Sequence, residues 1–94
     1  MNIHEPIVDL VNFYAQELND EVAKKVVGLG KIENETEAVC VLKFCDKMFD
    51  LAIKYEAEKK DVLGVPAKVY DAEKAYSILS DLVSEQGFDH LIED

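Results

Sequence analysis

The chain has no arginine and no tryptophan: all ten basic residues are lysines, set against twenty acidic ones for a net charge of −10. Arginine supplies the planar fork that grips phosphate and reads guanine, so its absence, with this excess of acid, speaks against direct binding to nucleic acid or nucleotide. Counterion release, which drives such binding, would have the wrong sign. Two prolines and four glycines are all that interrupt the 94 residues. No linker or low-complexity tract divides them, and a single domain over 1–94 is expected. Charges break up every apolar run well short of the roughly 20 residues of a membrane span. The opening Met1-Asn2-Ile3-His4-Glu5-Pro6 has no basic segment followed by an apolar block, so no secretory signal is read and the expected location is the cytoplasm.

Groups able to do chemistry are scarce too. His4 and His90 sit near opposite ends, outside any spacing that builds a shared metal or base site. Cys40 and Cys45 are five apart in one expected helix, which sets them on different faces and beyond ordinary disulfide geometry. Free thiols, one in the core and one at the surface, are the expectation. No Ser/His/Asp arrangement, phosphate loop or calcium loop is present. Glu17-x-x-Asp20 and Asp46-x-x-x-Asp50 come nearest to the carboxylate pairs with which all-α nucleoside-triphosphate pyrophosphohydrolases hold magnesium. The first pattern of that family, Glu-x-x-Glu, is missing, and these carboxylates project from polar faces whereas bundle metal sites point inward. No catalytic, metal-ligating or cofactor-binding residue is assigned, and no enzyme is expected.

Helical periodicity is what the sequence does have. Gly28-Leu29, Gly64-Val65 and Gly87-Phe88 each close a periodic stretch with the glycine-plus-hydrophobe pair of a Schellman stop. Three stops predict an all-α, antiparallel three-helix bundle with helices at about 6–27, 35–63 and 66–86, followed by a short acidic turn or frayed end over 88–94. Pro6 suits a first helical turn. Asn34 and Glu37 have capping-box spacing at the start of the second helix.

At 100° per residue the apolar faces of the first and third helices span roughly 160° and 180°, while that of the second spans about 200°. Two neighbours of ordinary width leave such a face partly uncovered, so a homodimer or a partner protein is expected on the second helix. Phe44, Met48, Phe49 and Tyr55 are the expected contact residues, with Phe13, which falls among polar neighbours of the first helix, as a secondary one. The favoured function is a non-enzymatic interaction protein: an adaptor, a chaperone-like factor or an inhibitor. The alternative is an acidic mimic of DNA that blocks a basic nucleic-acid-binding protein, as small inhibitors carried by phages or mobile elements do; it requires steep salt dependence.

Overall fold

A computed structural model describes residues 5–92; the expectations for Met1 to His4 and for Glu93 and Asp94 lie outside them. The chain is mostly helical, as expected of the all-α class. Among the described residues there are four α-helices where three were expected, and a small hairpin. In chain order these are α1 (Glu5–Glu17), α2 (Glu21–Leu29), α3 (Glu35–Ala57), β1 (Asp61–Val62), β2 (Val65–Pro66) and α4 (Val69–Val83). A π-type turn (Ser84–Phe88) and a 3₁₀ turn (Asp89–Leu91) follow.

The first expected helix is broken. Tyr14, Leu18, Val22 and Val26 keep an i, i+4 rhythm straight through the break, which is why periodicity alone reads one helix. Asn19 adopts the left-handed conformation at φ 55°, which asparagine tolerates better than most residues. Asp20 then turns extended, and its carboxylate accepts the Ala23 N–H at 3.0 Å to cap α2. Gly28 is not the stop. It sits inside α2, and Gly30 takes the left-handed position instead at φ 70°, donating its N–H to the Val26 carbonyl. Ile32, rather than Leu29, is the hydrophobe that folds back into the core.

Helix α3 starts where the capping residues place it: Asn34 Oδ1 accepts the Glu37 N–H at 2.9 Å. The reciprocal bond is shifted by one residue, since Glu37 Oε1 accepts from the N–H of Glu33. The helix ends at Ala57 and not near 63, because Lys59 turns left-handed at φ 57° in the polar stretch after Tyr55. Asp61 then pairs with Pro66 and Val62 with Val65 in an antiparallel hairpin. Leu63 and Gly64 form its two-residue turn, both with positive φ, 55° and 85°, the pattern of a type I′ turn. The hairpin buries Val62 and Ala67. Helix α4 begins at Val69 rather than 66, and its cap comes from afar: Glu56 Oε2 accepts the Val69 N–H at 3.0 Å. Gly87 does close the last helical stretch, at φ 91°. Beyond it Phe88, Leu91 and Ile92 pack against the core, so the described part of the tail is a docked turn.

These breaks let a short chain wrap one long helix. The 23 residues of α3 span about 34 Å at 1.5 Å per residue, close to the molecule's longest dimension of 37 Å. Helices α1, α2 and α4 all contact α3. Removing the cap that turns the chain between α1 and α2, with Asp20→Ala, is expected to lower stability by about 1 kcal/mol in chemical denaturation. No change would show that Asn19 sets the break unaided.

Candidate functional site

The fold does not gather the five expected contact residues into a surface. Phe44 and Met48 are fully buried at 0% exposure, and Tyr55 retains 8%. Phe49 is half-buried, edge-on to Tyr76 at 5.6 Å between ring centroids. Phe13 is half-buried too, with its ring edge-on to Tyr14 at 5.4 Å. Part of the wide apolar face of α3 that suggested a homodimer is covered within the chain, because the broken first helix supplies two neighbours where one was counted, while Val39, Leu42, Phe49 and Leu51 stay only partly buried. Of its large apolar residues, only Ile53 is well exposed.

Glu17, Asp20, Asn34 and Glu37, singled out in the sequence, hold the fold together. Glu17 accepts a 2.6 Å hydrogen bond from the Tyr55 hydroxyl and lies 3.4 Å from Lys60 Nζ. That ammonium also sits 4.0 Å from the centroid of the Tyr55 ring. Asp20 is a cap, and Asp46 and Asp50 lie exposed on α3. Lys25 bridges Glu33 at 2.8 Å and Glu37 at 2.7 Å, fastening α2 to the start of α3. No group of three or more potential metal ligands occurs among the described residues. Both cysteines are free. Burial, helped by Asp46, pushes the Cys45 thiol up to about 12, which leaves it protonated and unreactive at neutral pH. His90 is exposed, 3.8 Å from Glu35.

Three of the five well-exposed large apolar side chains among the described residues lie at the hairpin and the start of α4, the other two being Leu29 on α2 and Ile53 on α3. Leu63, Val65 and Tyr70 are each more than half exposed. Beside them a cleft of about 260 Å³ opens between α1, the hairpin and α4. Its walls include Ile7, Leu10, Val62 and Ala67; Tyr14 and Asp71 also line it, with Lys68 and Lys74. Charge is distributed to match: between 54 and 74 five lysines balance five acids, so the net −10 resides on the rest of the chain. The sequence held a signal for this site in Leu63-Gly64 ahead of Pro66. A glycine after a polar helix end suits a hairpin turn as well as a helix stop.

The chain matches no protein-family model, no curated protein and no solved structure. Its own surface is the guide to its function.

The two ion networks predict how stability depends on pH. The Tyr55 hydroxyl, and after it Lys60, hold the Glu17 carboxyl below its ordinary value of 4.5. Lys25, and after it the Glu33 N–H, do the same for Glu37. A carboxylate with a depressed folded-state pKa contributes stability that is complete above its unfolded value and is lost as pH falls through the folded one. Denaturation midpoints are therefore expected to decline from about pH 4.5 downward. The combined E17Q and E37Q variant should show a smaller decline. An unchanged acid profile in that variant would mean that other carboxylates carry the linkage.

Proposed function

We propose that this protein is a non-enzymatic interaction module that docks on another protein through the β1–β2 hairpin and the adjoining start of α4. Leu63 is the observation that carries this reading. A leucine in the left-handed conformation costs about 1 kcal/mol or more, where asparagine or glycine would be nearly free of strain. Its side chain is 57% exposed, so burial within the chain returns little of that cost. Local strain held in place by the surrounding structure is characteristic of contact sites. Val65 and Tyr70 add apolar area beside it, and aromatic residues are common anchors of interfaces.

Electrostatics favour the same end of the molecule. A partner approaching the acidic faces meets net repulsion unless it is basic, whereas the hairpin segment carries no net charge. The partner is a different protein rather than a second copy, since two bodies of net charge −10 repel each other while Phe44 and Met48 are buried without a dimer. The DNA-mimic reading is supported by net charge alone, and the polar strip of α3, with Lys43, Asp46, Lys47, Asp50 and Lys54, alternates in sign. Free thiols at Cys40 and Cys45 fit work in a reducing compartment such as the cytoplasm.

Leu63→Asn separates folding from docking. Relief of the turn is expected to raise stability by about 0.5–1 kcal/mol, while affinity for the protein that the unmodified chain captures falls at least about tenfold, with little dependence on salt. Binding that survives the substitution and collapses with salt would overturn the hairpin reading in favour of the acidic mimic.

A further inference from the structure

We infer that the cleft between α1, the hairpin and α4 binds a small molecule with an apolar body and a zwitterionic head, the chemistry of a large apolar α-amino acid. The inference concerns the isolated chain and does not depend on the docking reading, although Leu63 and Val65 border both surfaces.

Size comes first. At about 260 Å³ the cleft lies just under the roughly 300 Å³ at which sites for drug-sized ligands begin, so its occupant is small. Its inner walls, Ile7 and Leu10 from α1 with Val62 and Ala67 flanking the hairpin strands, suit an aliphatic or aromatic side chain.

The polar groups define the head. Tyr14 is 1% exposed and lines the cleft, yet its hydroxyl makes no hydrogen bond among the described residues. Every fully enclosed side-chain nitrogen or oxygen among those residues does have a partner. The Tyr14 hydroxyl therefore keeps some access from outside, and it sits on the same face of α1 as Ile7 and Leu10, seven and four residues earlier.

Asp71 stands in the first turn of α4, half-buried, with no lysine within ion-pair distance among the described residues. Asp71 lines the same cleft as Tyr14. Lys68 and Lys74, both exposed, line the same opening without an ion pair among the described residues; Lys74 Nζ rests 5.5 Å from the Tyr70 ring centroid. An ammonium finds Asp71 and the Tyr14 oxygen, and a carboxylate finds the two lysines. A ligand carrying only one of these charges leaves either Asp71 or the lysine pair facing its own sign, so both charges together fit better than either alone.

The test titrates the full chain with L-phenylalanine, with 3-phenylpropanoate (no amine) and with phenethylamine (no acid), followed by amide NMR shifts and calorimetry. Saturable binding of L-phenylalanine is expected, with shifts confined to the first half of α1, the hairpin and the start of α4. Each analogue should bind at least about tenfold more weakly, as expected for losing a charge-assisted hydrogen bond. Asp71→Asn should weaken binding of L-phenylalanine by about tenfold. Tyr14→Phe, which removes no hydrogen bond within the described residues, should weaken it less and leave the fold intact. No saturable shift at millimolar L-phenylalanine, or shifts centred elsewhere, would overturn the site. An analogue that binds as tightly as the amino acid would overturn the zwitterionic head.

Discussion

Phe44, Cys45, Met48 and Ala52 lie along α3 with no exposure to water, and keeping that face dry is the constraint around which the other elements are arranged. Fully burying a phenylalanine or methionine is worth about 1.5–3 kcal/mol. Ending a helix early forfeits a few modest backbone bonds, part of which a cap worth about 1 kcal/mol recovers. The balance favours breaking α1 from α2 so that both reach α3. The same balance explains the other end, where the chain leaves α3 at Lys59 and folds Val62 and Ala67 back against the core. Polar networks then fasten the wrapped segments, with Lys25 joining α2 to α3 and Glu17 joining α1 to Tyr55 and Lys60.

Features fixed by neighbours in the sequence were legible in it. The helical class, the Asn34 cap and the stop at Gly87 all depend on residues within a turn of the backbone they shape, and the wide apolar arc of α3 announced its central place. Features that depend on distant residues were not. The break at Asn19 and Asp20 is hidden by an apolar rhythm that runs through it, although an asparagine tolerant of the left-handed region followed by a capping aspartate is a usable local signal. The start of α4 rests on a carboxylate thirteen residues earlier, which no local pattern reveals.

Of the expected contact residues, Phe44, Met48 and Tyr55 lie in the core for a related reason. The width of an apolar arc measures how much of a helix is buried but does not say by what. Phe44 and Met48 are covered by the chain itself once the helix count rises from three to four. Leu63 escaped notice because Gly64 reads equally well as a helix stop, and nothing in composition or period announces a leucine in a left-handed turn. The surface that remains open is small, uncharged overall and set against a cleft. Strain and exposure at Leu63 and the cleft lined by Tyr14 and Asp71 put the features that folding alone does not explain at one end of the molecule.

Whether α3 is satisfied by its own chain is best decided by chemical denaturation over about a hundredfold range of protein concentration, since a core completed by a second copy makes the midpoint depend on concentration. A midpoint that stays fixed is expected, because α1, α2 and α4 already seal Phe44 and Met48. A midpoint that rises with concentration would contradict this and return the wide face of α3 to the role of a dimer interface.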